Sequence, residues 1–183
     1  MVLGRLFRRH PKEAPARALY LRIVEQARRP EFYSACGVPD TLDGRFDLVA
    51  LHAFLVLHRL KQDHPAAAEL AQALFDTLFM DMDRGLRELG AGDLGVGRRV
   101  RQMAQGLYGR IAAYQAGLEG AEADLDSALR RNLYGTVDPD PACVRAVAAY
   151  MRREAGALAG PALAALLAGT LSFGPPPEPA EGA

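Results

Sequence analysis

The sequence predicts an all-α protein, a single domain of about seven or eight packed helices with no sheet. Apolar residues recur at helical spacing in one segment after another, and no stretch shows the alternation of a half-buried strand. Half of the 183 residues are hydrophobic and 24% are charged, which is enough to bury one sizeable core. We expect the helical domain over residues 16–173, between a basic flexible segment (1–15) and a proline-rich disordered tail (174–183).

The most apolar segment, residues 45–62, is predicted to be the central helix. Its apolar side chains, such as Phe46 and Val49, reach nearly every side of a helix. A helix that is apolar all round is buried at the centre of a bundle. Either Thr41 or Asp43 is placed to cap its start.

The remaining helices are predicted from the same spacing and from proline and glycine breakers. They are expected over residues 16–29, a short segment after Pro30, 65–89, 97–118, 121–134, 140–156 and 161–168. A glycine-rich loop is expected over residues 90–97. The uncharged window 155–173 contains too much glycine, proline and hydroxyl for a membrane span, so we expect the end of one helix and a second short one.

The balance of 22 basic and 22 acidic residues argues against a nucleic-acid-binding protein, whose affinity depends on a basic surplus. The charges are unevenly placed, since residues 1–30 carry eight basic and two acidic residues whereas residues 31–97 carry eleven acidic and five basic ones. Residues 1–12 are basic and acid-free, which is compatible with contact with an anionic membrane surface; a solvated, poorly ordered terminus is the simpler interpretation.

The two cysteines, Cys36 and Cys143, do not have the spacing of a zinc site or of covalent haem attachment. Such a low cysteine content is typical of a reducing compartment. No serine, histidine or cysteine lies in a catalytic motif, so the residues predict no enzyme activity, no metal and no cofactor.

Residues 90–95 match the dinucleotide-binding pattern G-x-G-x-x-G. A helix is predicted before this match and no sheet around it, so nucleotide binding is not expected. A weaker hypothesis places an anion at the start of the following helix, near Arg98. The alternative is a loop with solvated arginines.

Asp76, Asp81 and Asp83 suggest an aspartate-rich metal–diphosphate motif on a helix. A magnesium-dependent enzyme acting on an isoprenoid diphosphate would need a second acidic cluster, which the sequence lacks. The alternative is an ion-paired helix surface, with Asp83 placed to pair with Arg87 at i+4. His52 is predicted to be a hydrogen-bonded packing residue rather than a ligand or a base.

Three stretches combine into the pattern of one family. The first runs from Phe32-Tyr33 through Gly37-Val38-Pro39-Asp40-Thr41-Leu42-Asp43-Gly44-Arg45-Phe46-Asp47-Leu48 to Leu51-His52-Ala53-Phe54-Leu55. The second joins Leu74-Phe75-Asp76 and Phe79-Met80-Asp81-Met82-Asp83 to Leu86-Arg87-Glu88-Leu89-Gly90, and the third joins Tyr108-Gly109-Arg110 and Tyr114 to Arg131-Asn132-Leu133-Tyr134-Gly135. In this order, and over roughly residues 16–150, they resemble the ubiquinol–cytochrome c chaperone family.

The resemblance implies a non-enzymatic assembly factor that binds newly made cytochrome b and assists biogenesis of the ubiquinol–cytochrome c reductase (bc1) complex. A small partner protein, or the ribosome, is implied for mitochondrial members and stays open here. Because the first residues lack a long presequence, we expect a bacterial cytoplasmic protein, peripheral at the inner membrane; a eukaryotic source would place it in mitochondria. A scaffold that binds the folded complex is an alternative.

Holding a hydrophobic client requires an apolar groove between helices, rimmed by charge. The groove candidates are aromatic residues and methionines: Phe32, Tyr33, Phe75, Phe79, Met80, Met82, Tyr108 and Tyr114. The candidates for the motif and the charged rim are Asp40, Asp43, Arg45, Asp47, His52, Asp76, Asp81, Asp83, Arg98 and Arg110. Core packing is the alternative for each apolar residue, and helix entry or ion pairing is the alternative for the charged ones.

Overall fold

A computed structural model describes residues 12–88, 93–160 and 162–178, without the side chains of residues 86 and 93–101. These residues form eight helices and no strand, which confirms the all-α prediction. The helices are α1 (Glu13–Ala27), α2 (Glu31–Ser34), α3 (Leu42–Gln62), α4 (Ala68–Glu88), α5 (Asp93–Glu119), α6 (Glu122–Asn132), α7 (Pro141–Ala159) and α8 (Leu163–Leu167).

Helix α3 is the centre of the bundle, as its sequence predicts. It packs against α1, α4, α5 and α7, and residues 50–56 are buried without interruption. The Thr41 hydroxyl accepts a 3.1 Å hydrogen bond from the main-chain N–H of Gly44, so Thr41, one of the two expected caps, begins the helix. Each fully buried leucine or phenylalanine here contributes about 1.5–3 kcal/mol to folding.

The other helices pack around α3 and against one another. Helix α1 lies against α3 and α4, α4 against α5, and α5 against α6 in an antiparallel hairpin whose turn is Gly120-Ala121. Helix α7 packs on α3 and α6, and α8 returns to α1. The cavity described below is bounded by α1 to α5.

The expected loop over residues 90–97 is wrong from residue 93 onward, because α5 already begins at Asp93. Gly95 and Gly97 therefore lie inside a helix, and residues 89–92 lie outside the described residues. A glycine costs a helix about 1 kcal/mol relative to alanine, which the rest of a 27-residue helix can offset. An acidic residue in the first turn also favours a start at this point.

The end of the described chain differs from the expected disordered tail. Residues 174–178 lie against α1, α7 and the connector after α2, with Pro176 and Pro177 buried. The Gln26 side-chain amide donates to the Gly174 carbonyl at 2.9 Å, and the Gly174 N–H donates to Glu154 at the same distance. We call residues 174–178 the C-terminal strap; residues 179–183 lie outside the described residues.

The strap is held because its backbone is pre-extended and its polar groups have partners. Prolines fix an extended conformation, so little conformational entropy is lost when they dock. The Cys36 thiol donates to the Pro177 carbonyl at 3.4 Å, and Arg153 donates to the Pro175 carbonyl. None of these partners is near the strap in sequence, which is why its composition alone predicts disorder.

The uncharged window 155–173 is divided as expected. Helix α7 ends at Ala159 and α8 occupies Leu163–Leu167, while Pro161 lies outside the described residues. In the part of the chain that the structure describes, no helix combines the length and hydropathy needed to cross a bilayer.

Candidate functional site

A cavity of about 1010 Å³ opens between α1, the α2–α3 connector, α3, α4 and α5. Its apolar lining consists of Val24, Leu42, Phe46, Val49, Leu78, Met82 and Met103. Two of the predicted groove residues, Tyr33 and Met82, line it, and so do three of the predicted rim residues, Asp40, Arg45 and Asp81. The fold thus joins parts of two separate motif stretches in one concave surface.

The acidic side chains of the cavity are already paired. Asp40 accepts a 2.7 Å hydrogen bond from the Arg45 guanidinium, which lowers the pKa of that exposed carboxyl. Asp81 accepts from Arg84 at 2.6 Å and from the Tyr20 hydroxyl at 2.7 Å. Burial, and then the hydrogen bond to Asp81, raise the pKa of Tyr20, so this phenol stays protonated. The acidic residues of the rim therefore belong to charge pairs around an apolar interior.

An aromatic face on α4 and α5 adjoins the cavity. The Phe75 and Phe79 rings lie 4.5 Å apart between centroids, and Phe75 lies 5.3 Å from Tyr108 of α5. Phe75, Phe79 and Met82 follow at i, i+4 and i+7, so one face of α4 leads from these rings into the cavity. Tyr108 is 60% exposed, and Met80, on another side of α4, is 68% exposed.

Two groove candidates, Phe32 and Tyr114, are fully buried. The Phe32 ring packs edge-on against His52 and Tyr150, each at 5.3 Å between centroids. Tyr114 packs against Phe54 at 5.6 Å. Core packing, the alternative interpretation, accounts for both residues.

His52 belongs to the core and not to the rim. Its Nδ1–H donates to the Leu48 carbonyl at 2.7 Å, since that oxygen can only accept, and its Nε2 accepts from the Tyr150 hydroxyl at 2.8 Å. Burial lowers the pKa of His52 to about 4, so the imidazole is neutral near pH 7. Both nitrogens are occupied, as the packing interpretation of this histidine predicts.

A buried ion pair lies behind the cavity wall. The Arg110 guanidinium of α5 donates to Asp47 of α3 at 2.5 Å, with both side chains largely shielded from solvent. Burial raises the pKa of Asp47 to about 6, although the nearby Arg110 charge opposes that rise. Arg110 also lies 5.5 Å from the centroid of the Phe46 ring, which lines the cavity.

The aspartates of α4 do not converge on one point. Asp76 accepts from Gln72 at 2.8 Å and Asp83 accepts from Arg87 at 2.7 Å, which confirms the expected i+4 pair. Asp81 faces Tyr20 of α1. Among the described residues, no group of three or more histidine, cysteine, aspartate or glutamate side chains is placed to hold a metal ion.

Two rim candidates add little to the site. Asp43 lies in the first turn of α3, where a negative charge is favourable. Arg98 belongs to α5, but its side chain lies outside the described residues.

Sequence reasoning missed the α1 side of the cavity. Tyr20, Val24 and Arg28 follow at i, i+4 and i+8, so they share one face of α1, and all three line the cavity. That spacing is visible in the sequence. Its connection to Met82 and Met103 depends on how α1, α4 and α5 pack, which no local pattern reveals.

Comparisons with known proteins agree with this fold. A family model described as Ubiquinol-cytochrome C chaperone matches residues 34–173. The Xenopus laevis protein called ubiquinol-cytochrome-c reductase complex assembly factor 1 is 27% identical over 136 residues, which are 74% of this chain and 68% of that protein. The Homo sapiens protein of that name is 24% identical over 136 residues, or 74% of this chain and 46% of its own length.

A solved structure is also similar over nearly the whole chain. The crystal structure of the Cbp3 homolog from Brucella abortus has a TM-score of 0.80 and 38% sequence identity, and the match covers 90% of this chain and 91% of that one. The family model covers α3, α4 and α5 of the cavity wall and begins after α1. The chain therefore belongs to the ubiquinol–cytochrome c chaperone family.

Proposed function

We propose that this protein is a non-enzymatic assembly chaperone that binds newly made cytochrome b and assists biogenesis of the bc1 complex. The family membership supports the assembly role. The observation that supports client binding is the apolar cavity between α1 and α5, which is continuous along α4 with the Phe75–Phe79–Tyr108 face.

The chemistry of this surface suits a hydrophobic client before its partner subunits cover it. Burying one large apolar side chain of the client in the cavity gains about 1.5–3 kcal/mol. Met82 and Met103 face the cavity from two different helices, and unbranched thioethers adapt to partners of irregular shape. The paired charges of the rim stay solvated and allow release.

The cellular setting belongs to the same proposal. The protein acts in the cytoplasm at the inner membrane of a bacterium, or in mitochondria for a eukaryotic source. The basic residues 1–12 attract an anionic membrane surface, where each positive charge contributes about 1 kcal/mol. A small partner protein or the ribosome would assist, and no nucleic acid or cofactor takes part.

The test is capture of newly made cytochrome b. Cells synthesising the bc1 complex are labelled briefly and crosslinked, the tagged protein is recovered, and unassembled cytochrome b is measured. Met82→Asp places a charge in the cavity and should reduce capture at least tenfold. Met80→Asp, on the exposed side of the same helix, is the matched control and should retain capture.

Three outcomes would contradict the proposal. Recovery of mature complex alone would show a scaffold that binds the folded assembly. No recovery of cytochrome b, together with normal bc1 assembly in a deletion strain, would exclude an assembly role. Equal loss of capture in both methionine variants would show that the client does not bind in the cavity.

A further inference from the structure

We propose that the cavity binds one face of a single apolar α-helix, and that the negative end of that helix, its carboxyl terminus or an acidic side chain beside it, lies against Arg28. This inference rests on the proposed function and specifies the segment of the client that is recognised. Arg28 lines the cavity at the end of α1.

The backbone of an occupant needs hydrogen-bond partners. Most of the cavity is lined by side chains of helices, whose own main-chain groups are already hydrogen-bonded. Its two phenols are engaged as well, since Tyr20 donates to Asp81 at 2.7 Å and Tyr33 donates to the Ala27 carbonyl at 2.9 Å. An extended segment would bury main-chain N–H and C=O groups without partners, whereas a helix satisfies its own. The occupant is therefore helical.

The size of the cavity limits how much of a helix it can receive. A helix is 10–12 Å across with its side chains, so three turns occupy roughly 1,300–1,800 Å³. The cavity, at about 1010 Å³, is open to solvent on one side, so it receives one side of such a helix and does not surround it. The helix consequently lies along the mouth, with one apolar face inserted between Met82 and Met103 and the other face outside. A client with an amphipathic or membrane-spanning helix meets this requirement.

Charged side chains line the mouth of the cavity. Asp40 is paired with Arg45 and Asp81 with Arg84, at 2.7 and 2.6 Å. Arg28 makes no ion pair with any residue that the structure describes. Arg28 lines the same cavity as Tyr20 and Tyr33, and its positive charge opposes the rise in pKa that burial causes in both phenols.

Among the described residues that line the mouth, one positive charge therefore remains after the internal pairs have formed. The carboxyl end of a helix carries a partial negative charge and free carbonyls, and a guanidinium binds carboxylates and carbonyls through several N–H donors. A helix that enters with this end toward Arg28 gains a charge-assisted contact. A helix with lysine at the same end meets repulsion.

The experiment measures binding of two synthetic peptides by fluorescence anisotropy. Both are amphipathic helices with the same leucine-rich face; one ends in glutamate with a free carboxylate, and the other ends in lysine with an amide. The wild-type protein should bind the acidic peptide at least tenfold more tightly. Arg28→Gln should remove this preference, and Arg28→Glu should reverse it.

Arg145→Glu is the matched control, because Arg145 is an exposed residue of α7, outside the cavity. It should leave the preference unchanged, and circular dichroism should show that all variants fold. Equal affinity of the wild type for both peptides would overturn the role of Arg28, as would an equal effect of Arg145→Glu. Failure of both peptides to bind would overturn the helical occupant, while the capture of cytochrome b described above would still test the proposed function separately.

Discussion

The Tyr134 hydroxyl donates a 2.8 Å hydrogen bond to the main-chain carbonyl of Cys36, so the end of α6 is tied to the connector after α2 across 98 positions. Both residues are fully buried. The Tyr114 side chain is equally buried, but its hydroxyl has no hydrogen-bond partner among the described residues. Comparing the two tyrosines therefore measures what the hydrogen bond of a buried hydroxyl contributes to the free energy of unfolding.

Tyr134→Phe should lower the free energy of unfolding by about 1–3 kcal/mol, because it leaves the buried Cys36 carbonyl without its donor. Tyr114→Phe removes a hydroxyl without a described partner, so it should change stability by less than about 0.5 kcal/mol or increase it. Urea unfolding at pH 7.5 measures both. Equal destabilisation by the two variants would show that lost packing, not the hydrogen bond, is responsible.

His52 should make the folded protein less stable as the pH falls. Its pKa is about 4 in the folded protein against an ordinary value near 6.5, so the unfolded chain binds more protons between these values. The contribution of His52 to the free energy of unfolding should therefore decrease by roughly 3 kcal/mol as the pH falls from 6.5 to 4. Urea unfolding across this range gives the slope.

His52→Gln should remove this contribution, because glutamine does not titrate, so the variant should lose roughly 3 kcal/mol less stability than the wild type over this range. His64→Gln, at an exposed position, should keep the wild-type slope. Asp47, whose pKa is raised to about 6, contributes in the opposite sense within this window, but it is present in every variant and cancels in the difference. An unchanged slope in His52→Gln would contradict the assignment.

The Asp47–Arg110 pair should behave as a coupled unit between α3 and α5. At pH 7.5, Asp47→Leu leaves a shielded guanidinium without its carboxylate and should cost about 2–4 kcal/mol. Adding Arg110→Met removes that unpaired charge, so the double variant should be less destabilised than the sum of the two single variants by about 1–3 kcal/mol. Additive effects in urea unfolding would show that the two charges do not interact energetically.

Removal of the C-terminal strap should destabilise the fold. A chain that ends at Phe173 loses the Gly174 contacts to Gln26 and Glu154 and leaves a nearly fully buried carboxylate without its main-chain donor. We expect a loss of about 1–3 kcal/mol in urea unfolding. A chain that ends at Glu178 keeps these contacts and should match the full-length protein; equal stability of the two truncated chains would contradict this role.

The sequence predicts those structural features that depend only on residues close together along one helix. The burial of α3 follows from its apolar residues on every side, and the Asp83–Arg87 pair follows from its spacing. The cavity is different, because Arg28, Met82 and Met103 come together only when α1, α4 and α5 pack. The strap shows the same limit: its prolines look like a solvated tail until Gln26 and Glu154 are placed beside them.

Helix α5 joins the cavity to the interior of the protein. Met103, Arg110 and Tyr114 lie at i, i+7 and i+11 on α5, so one face of this helix lines the cavity, holds the ion pair and enters the core. The α5 wall is thus braced by the same contacts that stabilise the bundle and cannot swing outward without breaking them. We expect the cavity to accommodate helices of different shape through rotamer changes of Met82 and Met103, while the backbone around them stays fixed.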